Sequence, residues 1–385
     1  MIPYARQDVN EADIEEVVRV LRSDWLTQGP AIGRFEDAAA KYLGAGHAVA
    51  VSSGTAALHL ACLGMGLKPG DWLWTSPVTF VASANCALFC GARADFVDID
   101  ARSYNLSVEC LEKKLDAAKK AKKLPKILIP VHLAGQSCEM ASIFALSKKY
   151  GFKIIEDASQ AIGGSYRGKK IGRCEFSDAA VFSFHPAKTI TTGEGGMVTT
   201  NDDALAKKIA RLRTHGITRD PAEMEGEPDG PWHYQQLDLG LNYRMTDIQA
   251  ALGLSQLRRI DEFIRRRTFL AERYDEKLKG LPITTPRLHP DAISGWHLYV
   301  VRLKLDEIKK THRQVFEELR AAGIGANLHH VPVHLHPYYQ KLGFKPGDFP
   351  QAEKYYREAI TLPLYTKLSE SEQDYVVQCL ENILG

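Results

Sequence analysis

Lys188 closes the stretch Ser183-Phe-His-Pro-Ala-Lys188, which leaves an apolar run and enters the glycine-rich Gly193-Glu-Gly-Gly196. The run Ala179-Ala-Val-Phe-Ser-Phe184 has the continuous apolar character of a strand covered on both faces, so the ammonium starts from inside the protein. A lysine stripped of water has a lowered pKa and can attack an aldehyde; a lysine that caps a strand and reaches solvent is the plainer alternative. Two more strand ends carry chemistry. Ser52-Ser-Gly-Thr-Ala-Ala57 joins a strand to a helix, where small residues offer backbone N–H groups and a hydroxyl to an anion, ideally a phosphate, although they also make a good turn and N-cap. Ile154-Ile-Glu-Asp-Ala-Ser-Gln160 puts Asp157 at the end of a buried strand, where a carboxylate needs a cation or several donors to stay ionised. Ser183 is a further phosphate donor.

One ligand uses all of these parts: pyridoxal 5′-phosphate. Its phosphate suits hydroxyls and a helix N-terminus, its aldehyde suits a nucleophilic lysine, and its pyridine nitrogen suits a carboxylate that keeps it protonated. Phe80, after Pro77 and Thr79 and at the start of a helical pattern, is placed to stack a ring on the pyridine.

The elements that must position these residues follow from periodicity. Asn10-Glu-Ala-Asp opens a docking helix with Ile14, Val17, Val18 and Leu21 on its buried face, and a second helical pattern runs from about Arg34 to Tyr42. From His47 onward, short apolar runs alternate with helical stretches, which means crossover connections and a largely parallel sheet with ligands beyond the strands' carboxyl ends. From about Thr246 the rhythm shifts to long helices, a strand at Trp296–Leu303 and helices near 311–321, 351–360 and 369–384. The expected division is a large domain over 1–245 and a smaller α+β domain over 246–385, with the N-terminal helix docking on the latter. Residues 217–237, rich in proline and glycine, have no clear period and read as a long loop over the site or at a subunit contact.

Composition narrows the function classes. A 385-residue chain with 45% hydrophobic and 25% charged residues can bury a large core, and a net charge of +2 gives no bulk attraction to nucleic acid or membrane. Seven scattered cysteines without a C-x-x-C pair point to a reducing, cytoplasmic compartment, and no apolar run is long enough to span a bilayer.

Five stretches occur in the order of a known motif series: Ser52–Leu58, Ile155–Ala161, Phe182–Lys188, Gly193–Met197 and Gly240–Asp247. Over nearly its whole length the chain resembles the DegT-like sugar-nucleotide aminotransferases, within the fold type I (aspartate aminotransferase-like) superfamily. The resemblance implies an α/β fold type I transferase with a large, mostly parallel sheet. It implies Lys188 as the covalent anchor of pyridoxal 5′-phosphate, Asp157 on the pyridine nitrogen and Gln160 near the ring hydroxyl. Gly54, Thr55 and Ser183 would hold the phosphate, and Phe80 would stack on the ring. In this family an asparagine from the neighbouring subunit also reaches the phosphate, and Asn242 stands at the matching position, so a homodimer with shared sites is implied. Tyr4, Arg244, His329 and His330 are the implied substrate contacts.

Ile2–Asp8, Leu21–Ala31 and Trp296–Tyr299 narrow the resemblance to members that aminate C4 of a UDP-4-keto sugar in pseudaminic acid synthesis, with L-glutamate as donor; the alternative is another UDP- or dTDP-linked keto sugar, aminated at C3 or C4. Ala5 and the strand Asp71-Trp-Leu-Trp74 depart from the usual pattern without touching the cofactor residues. Related sugar 3-dehydratases carry histidine where Lys188 stands, which argues against that reaction. A non-catalytic regulator would not need Lys188, Asp157 and Gln160 together.

Three other signals read as structural or secondary. Gly163–Lys169 has P-loop spacing, but Lys170 occupies the place of the metal-binding hydroxyl, so a turn is expected. The histidines at 329, 330, 334 and 336 lack a cysteine or carboxylate among them, and no metal site is expected. Gly193–Gly196 reads as backbone passing close to neighbouring chain, in the other subunit.

Overall fold

The computed structural model describes residues 1–385, and its central sheet contains seven strands. They are β1 (His47–Val51), β2 (Trp72–Thr75), β3 (Arg93–Phe96), β4 (Ile127–Ile129), β5 (Lys153–Asp157), β6 (Ala179–Ser183) and β7 (Gly196–Thr200), in the order β1-β7-β6-β5-β4-β2-β3. Only β7 runs antiparallel to its neighbours. Both faces of the sheet are covered, and alternate residues of one strand enter different cores: Ala179 and Val181 face one, Ala180 and Phe182 the other. That two-sided burial is why the sequence of β6 reads as an unbroken apolar run.

The N-terminal helix α1 (Glu11–Leu21) starts at Asn10, whose side chain accepts from the Asp13 N–H while Asp13 accepts from the Asn10 N–H. Its buried face differs from the expected one. Asp13 and Val20 are buried, whereas Ile14 and Leu21 are about half exposed. The reason is an ion pair: Asp13 Oδ2 accepts from Arg259 at 2.6 Å and from Gln256 at 2.7 Å, which turns the polar side of the helix inward. The second helix, α2 (Pro30–Leu43), begins four residues earlier than its apolar period suggested, with Asp247 accepting from the Gly29 and Ala31 N–H groups.

Helix α3 (Gly54–Gly64) follows β1, and α4 (Ala82–Phe89) follows β2. After the sheet, α5 (Asp247–Arg258) packs against α1 and α2, and α6 (Ile260–Lys277) runs from one core to another: Ile260, Phe263 and Ile264 join the β6 core, Leu270 and Tyr274 the next. That last core is built around a three-stranded antiparallel sheet of β8 (Ile283–Thr284), β9 (Tyr299–Leu303) and β10 (Ala359–Leu362). The helix expected to reach Ile360 stops at Glu358, because Ala359–Leu362 pairs with β9. Ile2–Pro3 pairs in parallel with Ile324–Gly325, so the chain's start is tied to its last third. Residues 217–237 are not structureless: Ile217–Thr218 pairs with Gln235–Gln236. Gly163–Lys170 is a turn and a short hairpin, with Ser165–Tyr166 against Lys169–Lys170.

Candidate active site

The carboxyl ends of β1, β5 and β6 open onto a cavity of about 470 Å³. Its walls contain Lys188, Asp157, Gln160, Gly54, Thr55 and Ser183, and also Phe80, Tyr4, His329 and His330. Ten of the twelve residues singled out in the sequence therefore meet in one place.

The turn from β1 into α3 makes one corner of the cavity. Ser53 caps the helix by accepting from the Ala56 N–H at 3.1 Å, which leaves the earlier N–H groups of Gly54 and Thr55 as the unpaired donors of the first turn. Gly54 must be glycine, since a Cβ there would stand 2.9 Å from the Ser183 Cβ. The same crowding explains Gly196, whose added Cβ would lie 2.3 Å from the Ser53 carbonyl oxygen. The chain that Gly196 passes so closely is thus the Ser53–Gly54 turn of its own subunit.

At the end of β5, Asp157 is buried and accepts from the Ser83 hydroxyl at 2.6 Å and from the Ser159 N–H at 3.1 Å. Gln160 accepts from the Ala134 N–H at 2.7 Å. Lys188 projects from the turn after β6. Loss of hydration pulls its pKa down to about 8, against the opposing attraction of Asp157. Phe80, 60% exposed, stands at the cavity mouth with its ring centroid 6.2 Å from that of His330.

The last third of the chain supplies the remaining wall. His329 Nδ1 lies 2.9 Å from the Thr361 hydroxyl, its ring sits 5.0 Å from that of Tyr4, and burial followed by the Lys188 charge lowers its pKa to about 4. Burial, then His329 and Lys188, likewise hold His330 neutral. His334 turns away from the cavity and pairs with Glu353 at 3.0 Å. Asn242 and Arg244 line no part of this cavity. Arg244 borders a separate cleft with Glu36 and Arg213, while the Asn242 backbone bridges to Thr214.

Sequence reasoning missed Ser83 and His297, both in the cavity wall. Ser83 carried no signal beyond lying one helical turn past Phe80, and His297 was noted only as part of Trp296–Tyr299.

The donor set fits pyridoxal 5′-phosphate on the structure's own terms. A desolvated lysine, a buried carboxylate with no cation bonded to it, and a helix start with two free N–H groups open on one cavity. The profile of the DegT/DnrJ/EryC1/StrS aminotransferase family matches residues 7–381. The chain belongs to this family. It is a pyridoxal-phosphate-dependent aminotransferase of the sugar-nucleotide type, with the α/β fold of the fold type I transferases. The GDP-perosamine synthase of Caulobacter vibrioides is 39% identical, over 98% of this chain and 96% of the relative. The UDP-4-amino-4,6-dideoxy-N-acetyl-beta-L-altrosamine transaminase of Campylobacter jejuni is 35% identical, over 100% and 98%. Among solved structures, PseC of Helicobacter pylori, an aminotransferase involved in the biosynthesis of pseudoaminic acid, superposes with a TM-score of 0.91 at 31% identity, covering 100% of this chain and 99% of that one. The sugar aminotransferase Spr1654 of Streptococcus pneumoniae, solved in its PLP form, gives a TM-score of 0.87 at 31% identity, with full coverage of both chains (100% each).

Proposed function

We propose that this aminotransferase moves the amino group of L-glutamate to C4 of a UDP-4-keto-6-deoxy-N-acetylhexosamine, UDP-2-acetamido-2,6-dideoxy-β-L-arabino-hex-4-ulose. The observation that carries the chemistry is the shared cavity of Lys188 and Asp157 beside the start of α3. The names of the Campylobacter relative and the Helicobacter structure support the substrate.

When bound, the cofactor supplies an aldehyde for the amino group and a ring that draws electrons from the substrate carbon. The chain's own residues do the rest. The Gly54 and Thr55 N–H groups and the Ser183 hydroxyl would hold the phosphate, and Asp157, oriented by Ser83, would meet the pyridine nitrogen. Gln160 would face the ring hydroxyl, and Phe80 would cover the ring and exclude water. Lys188 would anchor the cofactor, and its desolvated amine is the group that could hold and move the proton of the substrate carbon. Loss of hydration lowers the lysine's pKa to about 8, so its amine gives up its proton more readily near neutral pH than an ordinary lysine does. Tyr4, His329 and His330 form a wall without fixed charge, suited to hydroxyls and amide groups of a sugar. On this reading residues 1–245 carry the cofactor, and 246–385 are a smaller body that brings His297, His329 and His330 to the cavity.

The same reading makes the enzyme a homodimer. Asn242 and Arg244 would enter the partner's cavity, to meet the phosphate and the substrate respectively. Exposed apolar side chains support a mating surface, including Leu239 at 89%, Trp232 and Trp25. Mixing Lys188→Ala and Asn242→Ala proteins should restore activity that each lacks, because one site of the mixed dimer is intact. Failure of complementation would count against shared sites. No helix is long and apolar enough to cross a membrane. All seven cysteines are free thiols, the state a cytoplasmic compartment maintains.

A second substrate reading, a GDP-linked keto sugar, is favoured by the identity to the GDP-perosamine synthase. Nucleotide keto-sugars should be offered with L-glutamate, and the product's C4 configuration determined by NMR. Turnover of the UDP-linked N-acetyl sugar above the others supports the proposal, and preference for GDP- or dTDP-sugars overturns it.

A further inference from the structure

Four imidazoles border the cavity that holds Lys188, and three of them already have partners: His185 Nδ1 accepts from the Ala187 N–H at 3.2 Å, His329 meets Thr361, and His330 Nε2 lies 3.4 Å from Gln160 Nε2. His297 differs. It is 3% exposed, and its Nδ1 is buried with no hydrogen-bond partner. A core histidine that merely fills space is expected to have its ring nitrogens satisfied.

The backbone that carries this ring is fixed from two sides. From α6, Arg267 Nη1 donates to the carbonyls of Trp296 at 3.1 Å, His297 at 3.3 Å and Leu364 at 3.0 Å. From the other side comes Gly135, where an added Cβ would lie 2.7 Å from the Trp296 nitrogen and 3.0 Å from that of His297. Between them Trp296 takes φ +45°, a conformation that bulky residues adopt rarely and that clusters at functional sites. The ring sees charge from several elements. Burial, then Lys188, Arg267, His329 and His330, hold it neutral, so one nitrogen offers a lone pair. Asp157 is the carboxylate whose charge acts on Lys188.

We propose that His297 is a positioning residue for Lys188, its unpartnered nitrogen accepting a hydrogen bond from the ammonium that forms when the lysine takes a proton from the substrate carbon. In that step the C–H bond breaks and an N–H bond forms on Lys188, while the electron pair left on carbon is drawn into the cofactor ring. The proposal rests on the aminotransferase reading above. It assigns the acceptor role to a residue outside the phosphate, ring and sugar contacts.

The test compares His297→Leu with His297→Asn, which share a branched shape but differ in having an acceptor. In single-turnover absorbance measurements with L-glutamate, and separately with the UDP-4-amino sugar, His297→Leu should slow both half-reactions by roughly 10- to 100-fold. His297→Asn should recover much of that loss. In cofactor-free protein, competitive acylation of Lys188 read by mass spectrometry across pH should show a lower labelling midpoint in the Leu variant than in the Asn variant, because an acceptor stabilises the ammonium. Equal rates in the two variants, or a common labelling midpoint, would overturn the proposal; so would a loss confined to the sugar half-reaction, which marks a substrate contact. If His297→Leu does not fold, His297→Gln, with its amide one bond further out, takes its place and must fall below His297→Asn. Failure of borohydride to fix the cofactor to wild-type Lys188 would instead overturn the enzyme reading itself.

Discussion

The Ser83 hydroxyl donates a 2.6 Å hydrogen bond to Asp157 Oδ2, tying the first turn of α4 to the end of β5. The bond also orients Phe80, because α4 begins just after that ring and Ser83 Oγ lies 2.7 Å from Thr79 Oγ1. Removing a hydrogen bond to a charged group costs about 1.5–3 kcal/mol. Ser83→Ala should therefore weaken cofactor binding by roughly tenfold or more, with the fold intact. Titration of cofactor-free protein with pyridoxal phosphate checks it, and an unchanged Kd would show that Asp157 needs no help from Ser83.

Lys188 gives the cofactor-free protein a pH signature. In the unfolded chain its amine stays protonated up to its ordinary value of 10.5, whereas in the folded chain it releases the proton near pH 8. Below pH 8 the fold bears the cost of a desolvated ammonium, and this cost disappears as pH rises from 8 to 10.5. Lys188→Met should stabilise the cofactor-free protein at pH 7 by at most about 3 kcal/mol, and the gap should close toward pH 10.5. Thermal melts of both proteins at the two pH values decide the matter; a gap independent of pH would place the ammonium in water.

What the sequence revealed and hid follows physical lines. The strand ends at Ser53–Thr55, Asp157–Gln160 and Ser183–Lys188 were legible because buried strands leave unbroken apolar runs and the residues that follow them are local in the chain. The orientation of α1 was not, because Asp13 is drawn inward by Arg259, a partner 246 residues away. An apolar period alone therefore chose Ile14 and Leu21 as the buried face. On the second face of the site, Tyr4, His329 and His330 were reached through the family resemblance, and His297 was hidden for the same reason as the face of α1. His297 becomes visible only when Arg267 and Gly135, distant in sequence, are seen clamping its backbone.

Arg267 is itself a test of that clamp. Its guanidinium is fully buried, its pKa is lowered to about 10 by loss of hydration, and its Nη1 meets three carbonyls and no carboxylate. Replacing it with methionine relieves the desolvated charge but leaves those carbonyls short of a donor. The second effect should win, with a net loss of roughly 2–4 kcal/mol in urea unfolding. Arg267→Lys keeps the charge but not the planar fork, so it should fall between wild type and Arg267→Met. Equal stability of all three proteins would mean that the Trp296–His297 segment holds its course without the clamp.

Gly196 provides the sharpest steric prediction. A methyl group there would sit 2.3 Å from the Ser53 oxygen and 2.7 Å from the Gly54 nitrogen, and both obstacles are backbone. No side chain can swing away to relieve them, so Gly196→Ala must push the start of α3 off the end of β7. The displaced atoms include the Gly54 and Thr55 N–H groups proposed above to hold the phosphate. Cofactor affinity should consequently fall by on the order of a hundredfold, as a shift of about 1 Å in a positioned group does. Gly33→Ala is the control: nothing lies within 4 Å of its added carbon, and the position is inside α2. That change should raise stability by up to about 1 kcal/mol and leave the cofactor Kd alone. If Gly196→Ala binds cofactor as tightly as Gly33→Ala, the Gly54 and Thr55 N–H groups do not hold the phosphate, and the assignment of that corner is wrong.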